Sequence, residues 1–430
     1  MLLERIQPYL QNPYLLSGFA LVVAYWLTTR FCPIIIKICH SKKLLDDPNG
    51  RSAHKSSVPT YGGVAMFLAF AVVFLVVTVL AGLTAAAMAK ALVLLAALTV
   101  LFFLGMKDDM IGLHPRKKFI AQFITAALVI FLADVRIDSL GGIFGIQQLP
   151  YAVSVAFSFF VYMLISNAYN LIDGIDGLAG AVSTLVGLFF AACFLWEGQL
   201  ALALPAILMA GVSLGFLRFN LSKKNRLFMG DSGSLFMGFL MGFLAIAFLQ
   251  TVGATGTFAT AHPPVLVLAV LSYPLLDTLR VFSIRIANGR SPFSADKNHM
   301  HHRLLQKGFS HAQATLLIVL ANMAVIGLSW GSQTLSITLQ CVIVVAVGTL
   351  FYMAPVFLLP TQTQRLRKKV LVHNPDFASH PGTKANRKVA MANLLEGYKP
   401  EEMKQLLKSS NKVSSQNSRK KEKEVAGIEG

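Results

Sequence analysis

Four polar groups interrupt an otherwise apolar sequence, and their residue types suit phosphate and metal chemistry. The longest is Asn167-Ala168-Tyr169-Asn170-Leu171-Ile172-Asp173-Gly174-Ile175-Asp176-Gly177-Leu178-Ala179-Gly180, with two carboxamides and two carboxylates directly after a long apolar run. A carboxylate at the bilayer centre costs roughly 2.5–3.5 kcal/mol on insertion scales, so such residues sit at the end of a span or line a site. Asp173 and Asp176 share a face if the segment is helical, and Asn167 and Asn170 repeat their spacing. Amides and carboxylates in one line could bind a nucleobase edge, a ribose and a metal. A polar loop with glycine turns is the plainer reading.

The other groups point the same way without deciding it. Asp108 and Asp109 are adjacent, with Arg116, Lys117 and Lys118 close behind. Neighbouring carboxylates repel unless a cation or a shared proton relieves them; Mg²⁺ would do so, and so would solvation of two loop acids. In Phe228-Met229-Gly230-Asp231-Ser232-Gly233-Ser234, glycines on both sides of Asp231 suggest a tight turn that presents one carboxylate at a helix start. Such a residue is either a plain N-cap or a ligand for a metal-diphosphate. Asn220 opens the loop before it. The last group is Asp296-Lys297-Asn298-His299-Met300-His301-His302-Arg303. Three histidines could hold a transition metal, but the acids elsewhere are hard ligands that prefer Mg²⁺ or Mn²⁺. Protonated histidines beside Arg303 and Lys297, neutralising phosphate, suit this setting better. A further loop with Arg51, His54 and Lys55 could pair with phosphate oxygens.

All of these groups lie between long apolar runs. The chain has 430 residues, 55% hydrophobic and 13% charged, with a mean hydropathy of +0.62. Soluble domains carry about a quarter charged residues, so the composition predicts an all-α, polytopic integral membrane helix bundle. About eleven stretches approach the roughly 20 residues that a span requires. They lie near Tyr14–Ile35, Gly62–Ala81, Ala89–Met106, Phe119–Ala133, Tyr151–Ile165, Leu178–Trp196, Leu200–Leu217, Ser234–Gln250, Pro263–Phe282, Thr315–Trp330 and Leu335–Leu359. The fourth and fifth are short enough to be tilted or partly re-entrant. The N-terminal run has no small-residue cleavage pattern and reads as an uncleaved first span.

The net charge of +18 has a topological meaning. Lysines and arginines gather in alternate loops, which the positive-inside rule makes cytoplasmic. The polar groups fall in those loops or at their margins, so the catalytic loops are expected on the cytoplasmic face. An odd number of spans puts the N-terminus outside and the C-terminus inside. A carrier or channel is expected to scatter essential ionisable groups at mid-membrane depth, whereas these spans read as almost free of charge. Cys32, Cys39, Cys193 and Cys341 have no paired spacing and read as small core residues. The chain therefore divides into a multi-spanning membrane domain, 1–360, and a basic, largely disordered tail, 361–430. That tail could lie on anionic lipid.

Asp108-Asp109, the Asn167–Leu178 stretch, Phe228–Ser234 and His299-Met300-His301-His302 occur in the order and loops of one enzyme family. The chain resembles the polyprenyl-phosphate N-acetylhexosamine-1-phosphate transferases of glycosyltransferase family 4, from about Leu45 to Arg303 with the flanking spans. That resemblance implies Mg²⁺-dependent transfer of a sugar 1-phosphate from a UDP-sugar to undecaprenyl phosphate, with release of UMP. Arg51-Ser52-Ala53-His54 before Pro59, and Arg303 after the histidines, favour the branch that uses UDP-N-acetylglucosamine or another UDP-N-acetylhexosamine over UDP-MurNAc-pentapeptide.

By the same resemblance Asp231 is the first choice as Mg²⁺ ligand, with Asp108, Asp109 and Asp173 as further candidates and Mn²⁺ as an alternative ion. Asp108 or Asp109 would deprotonate or position the lipid phosphate. Asn167, Asn170, Asp173 and Asp176 would hold the nucleotide, with Asn220 nearby. His299, His301, His302, Arg303 and Lys55 would meet the phosphates. Direct attack and a covalent intermediate on an aspartate both stay open. The expected partners are the UDP-N-acetylhexosamine, undecaprenyl phosphate and the bilayer of a bacterial inner membrane, with no nucleic acid. A homodimer is compatible with this reading. The rival reading is a lipid or nucleotide-sugar transporter.

Overall fold

Without water, a chain in lipid must satisfy its backbone internally, and each apolar run does so as a helix. The computed structural model describes residues 12–46, 58–255, 262–291 and 298–358. Arg51, His54, Lys55, Asp296, Lys297 and the tail 361–430 lie outside the described residues. The helices are α1 (Pro13–Lys42), α2 (Gly62–Leu80), α3 (Ala85–Ile111), α4 (Pro115–Leu132), α5 (Tyr151–Ile172), α6 (Leu178–Trp196) and α7 (Leu200–Asn220). They continue with α8 (Gly230–Thr255), α9 (Pro263–Val270), α10 (Ser272–Ala287), α11 (Met300–Gln306), α12 (His311–Gly331) and α13 (Ile337–Leu358). Two short strands, β1 (Leu45–Asp46) and β2 (Val58–Pro59), pair antiparallel. Except for Gln306 of α11 and the end of α13 from Pro355, these helices belong to one compact unit.

Local chemistry sets several of the ends. Asn12 accepts the N–H groups of Tyr14 and Leu15, and Pro13 occupies a first-turn position where its missing N–H costs nothing. Ser310 and Gln313 form a reciprocal capping box at the start of α12. Between helices, small residues allow close approach. A Cβ on Gly211 or Gly215 of α7 would lie 2.9 Å from a backbone carbonyl of α1, the kind of contact that holds helices together where lipid offers no hydrophobic drive.

At the centre stands α8. Residues 232–248 are all buried, and the helix packs along α3 and α5. It is apolar all round, as a helix enclosed by others can be. Its first turn carries Asp231.

Among the described residues nine helices are long and apolar enough to cross a membrane, or ten if a bent pair counts as one span. That pair corrects the expected span Pro263–Phe282: α9 and α10 meet at a bend of 72°. The amide of Asn322, buried on α12, donates to the carbonyls of Ala269 and Val270 at 3.2 Å each, satisfying acceptors freed at the break. The fifth expected span is longer than its apolar run, because α5 continues to Ile172.

The fourth expected span is α4, whose first turn carries Arg116, Lys117 and Lys118. Its neighbours show that it runs the length of the bundle beside α5. Phe123 stacks on Phe159 with ring centroids 4.1 Å apart, and beyond its far end Arg136 reaches Ser154 near the start of α5. Eighteen residues at about 1.5 Å each give about 27 Å, close to the hydrocarbon thickness.

Candidate active site

The ends of α3, α4, α5 and α8 meet at one end of the bundle, and each brings a polar side chain. Asp108 and Asp109 lie in the last turn of α3, not in a loop as the sequence suggested. Lys118 of α4 donates to Asp231 Oδ2 at 2.8 Å and also touches Asp108. Asn170 of α5 donates to Asp231 Oδ1 at 2.6 Å and Ser234 Oγ at 2.7 Å. Asp108 Oδ1 accepts the Leu113 N–H, which holds it at the end of its helix.

Asp109 does something the sequence concealed. Its two oxygens accept the backbone N–H groups of Asp231 (2.7 Å) and Ser232 (2.9 Å). The first N–H groups of a helix have no partner within it. Gly230, before Asp231, has no side chain to cap α8, so the cap comes from α3. Gly230 sits at φ +72°, and a Cβ there would run into the Thr60 carbonyl and the Asp109 carboxylate. Gly105 is similarly required, since a Cβ would overlap the Asp231 carbonyl. Asp109 thus positions Asp231, with both oxygens engaged, rather than standing free as a base.

The Asn167–Gly180 stretch is not one helix. α5 ends at Ile172 and α6 starts at Leu178, so Asp173 and Asp176 do not share a helical face, which corrects the spacing argument. Burial, with Asp231, Asp109 and Asp176 nearby, pushes the Asp173 carboxyl well above the usual carboxylate range. Asp176 is buried and joins a different set: its Oδ2 lies 2.9 Å from His311 Nδ1 and 3.4 Å from an Arg226 nitrogen. Asn220 accepts the Gly177 N–H and donates to the Leu227 carbonyl at 2.9 Å, clamping two loops together. Asn167 donates to Gln122 of α4 (3.0 Å) and to the Met163 carbonyl (2.7 Å). Asn167 and Asn220 are therefore committed to packing the site's walls.

The histidines are oriented by α10. Asp277 accepts His299 Nδ1 at 3.0 Å, the Met300 N–H at 3.0 Å and Arg280 at 2.9 Å. Tyr273 lies 3.3 Å from His301 Nδ1, and His302 is tilted against the His301 ring. Arg303 makes no side-chain hydrogen bond or ion pair with the described residues. His301 is fully buried, with Nε2 packed where a Cβ on Gly174 would stand. Burial, with His302 beside it, lowers its pKa to about 3. Burial therefore disfavours at this position the protonated, phosphate-neutralising ring that the sequence reading expected.

A consequence for stability follows. An unfolded histidine takes up a proton below about pH 6.5, whereas folded His301 does so only near pH 3. The unfolded state binds more protons across that window, so stability falls as pH drops through it, by about 1.4 kcal/mol per unit. The unfolding midpoint should fall further between about pH 7.5 and about pH 5 in the native protein than in His301→Gln, and equal falls would count against a neutral buried ring.

Sequence reading took Lys118 and Arg226 for basic loop residues and not for site residues, and it missed Asp277, Arg280 and His311 altogether. For Asp277 a signal was present: a carboxylate inside the apolar run Pro263–Phe282 marks function or a buried partner. The spans are thus less free of charge than their composition suggested.

Asp108, Asp109, Asp173 and Asp231 bring four carboxyl groups around Lys118. Burial raises Asp108 to about 6, Asp109 to about 7 and Asp173 well above the usual carboxylate range, so a further cation would be needed to hold them all ionised. Hard oxygen donors in excess fit a divalent cation such as Mg²⁺. Among the described residues no three His, Cys, Asp or Glu side chains form a ready cage. Mg²⁺ needs none, because it is usually held by one or two carboxylates and completes its shell with water and substrate phosphates.

Known proteins share this arrangement of sequence. The model of glycosyl transferase family 4 matches residues 91–249. The undecaprenyl-phosphate alpha-N-acetylglucosaminyl 1-phosphate transferase of Escherichia coli (strain K12) is 29% identical over 309 residues, covering 70% of this chain and 80% of that one. Its Yersinia pestis counterpart is 30% identical with the same coverage. The decaprenyl-phosphate N-acetylglucosaminephosphotransferase of Mycolicibacterium smegmatis is 34% identical over 293 residues, covering 64% of this chain and 71% of the relative. With its many spans and this cluster at one end of the bundle, the chain belongs to the polyprenyl-phosphate N-acetylhexosamine-1-phosphate transferases of glycosyl transferase family 4, a family of multi-pass membrane glycosyl-1-phosphate transferases.

Proposed function

We propose that this protein transfers N-acetylglucosamine 1-phosphate from UDP-N-acetylglucosamine to undecaprenyl phosphate, releasing UMP and starting a lipid-linked cell-envelope polysaccharide. The observation that carries the proposal is Asp231, held between Lys118 and Asn170 at the start of a buried helix. An insoluble acceptor must present its phosphate at the membrane surface, where these helix ends meet. The basic loops at that end support a cytoplasmic face in a bacterial inner membrane, with the N-terminus outside.

In the reaction an oxygen of the lipid phosphate bonds to the sugar-bearing phosphorus, and the bond from that phosphorus to the oxygen bridging to UMP breaks. A bound Mg²⁺, held by Asp231 with Asp108 or Asp173, would neutralise charge on the diphosphate. Lys118 adds a fixed positive charge beside both Asp108 and Asp231. Asp108, held at its helix end by Leu113, can position the acceptor phosphate, and Asn170 and Asp173 line the nucleotide side. Asp108 and Asp109 already accept hydrogen bonds from backbone N–H groups. Carboxylates so engaged are poor nucleophiles, which supports direct attack by the lipid phosphate over a covalent intermediate.

The test incubates the purified full-length protein with Mg²⁺, undecaprenyl phosphate and a panel of UDP-sugars, and measures UMP. UMP should form with UDP-N-acetylglucosamine, only when the lipid is present, and should stop on chelation of the metal. UMP from a different UDP-N-acetylhexosamine would reassign the donor. No UMP from any donor would leave a transporter as the better reading.

A further inference from the structure

Arg280 of α10 has more hydrogen-bonding capacity than its surroundings use. One terminal nitrogen donates to Asp277 Oδ1 at 2.9 Å and to the Asn298 carbonyl at 2.5 Å. Its Nε and its other terminal nitrogen are buried and have no hydrogen-bond partner among the described residues. A guanidinium does not lose its proton in a protein. Leaving a buried donor unpaired costs roughly 1–3 kcal/mol, and more where the group is charged. Buried polar groups left open in this way need an explanation.

The neighbours say what would answer that need. Asp277 already balances one positive charge and has both oxygens engaged, one of them by His299 Nδ1. His299 can therefore meet a ligand only through Nε2, and Asp277 holds this ring and the guanidinium side by side. An anion rich in acceptor oxygens matches both groups, and guanidinium pairs well with phosphate. We propose that Arg280 binds phosphoryl oxygens of one of the two substrates. This rests on the transferase reading above, in which both substrates carry phosphate. It adds a phosphate-binding residue from a helix that bears none of the sequence motifs.

The experiment measures initial rates for the native protein, Arg280→Gln and Arg280→Lys, varying UDP-N-acetylglucosamine at saturating undecaprenyl phosphate and then the reverse. Arg280→Gln should raise one KM by about tenfold or more, the loss of a charge-assisted hydrogen bond. Arg280→Lys, which keeps the charge and loses the planar fork, should recover part of it. A raised donor KM assigns Arg280 to the diphosphate, and a raised acceptor KM assigns it to the lipid phosphate. If Arg280→Gln does not fold, Arg280→Lys carries the comparison alone. Both KM values within about twofold of native overturn the assignment, since a purely structural clamp would alter folding yield and stability without a selective KM change. A native protein that releases no UMP fails at the transferase reading itself, which separates the two failures.

Discussion

Asp231→Asn should lower the transfer rate by about 10²–10³-fold, the loss seen when a group that stabilises transition-state charge is removed. The substitution keeps the shape of the side chain and removes its charge. Phosphoryl transfer depends on positioned charge more than on covalent chemistry by the protein, so a neutral residue at this point removes what the site chiefly supplies. The fold should survive. The Asp231 and Ser232 N–H groups that anchor α8 bond through their backbone to Asp109 and do not need the Asp231 carboxylate. Rates measured in purified membranes or detergent, together with the unfolding midpoint, check both halves. Native activity in Asp231→Asn would sink the assignment of Asp231 as the principal charge in the site.

Asp109→Asn should give a different signature, with activity down by roughly 10²-fold and stability down as well. A carboxylate can accept both α8 N–H groups, one on each oxygen. A carboxamide has one acceptor oxygen and turns its NH₂ donor towards the second N–H. It also removes a negative charge from a helix N-terminus, where such a charge is favourable. Losing a cap of this kind costs about 1–2 kcal/mol. The unfolding midpoint should drop while a shifted α8 carries Asp231 out of place. A midpoint and rate both equal to native would show that Asp109 is not what holds the start of α8. A lost rate with an unchanged midpoint would return Asp109 to direct chemistry.

The sequence by itself determined the class of molecule and the composition of the site. Apolar runs near span length can meet their backbone needs in lipid only as helices, so the expected stretches could be read residue by residue. The order of Asp108-Asp109, Asn170, Asp173, Asp231 and the histidines was enough to name the family, because those motifs are local strings. What the strings do was decided by packing. The Asp109 carboxylate caps a helix that starts over a hundred residues later. Asp176 meets His311 and Lys118 meets Asp231 across similarly long stretches of chain, and Asp277 holds His299 from 22 residues earlier. No periodicity encodes such pairs, because periodicity reports only which face of one element is apolar.

Charge state was equally out of reach. His301 looked like a cation in a basic loop, and only its enclosure by Tyr273, His302 and the Gly174 turn disfavours the protonated ring. The break between α9 and α10 had a local signal in Pro274, which cannot donate to the Val270 carbonyl four residues earlier, but the amide that takes up that carbonyl comes from α12 and could not be read from the run. Local sequence could specify helices and list reactive groups, since both follow from neighbouring residues. Only the tertiary structure could assign roles among those groups, since a carboxylate's function depends on which distant donors pack against it.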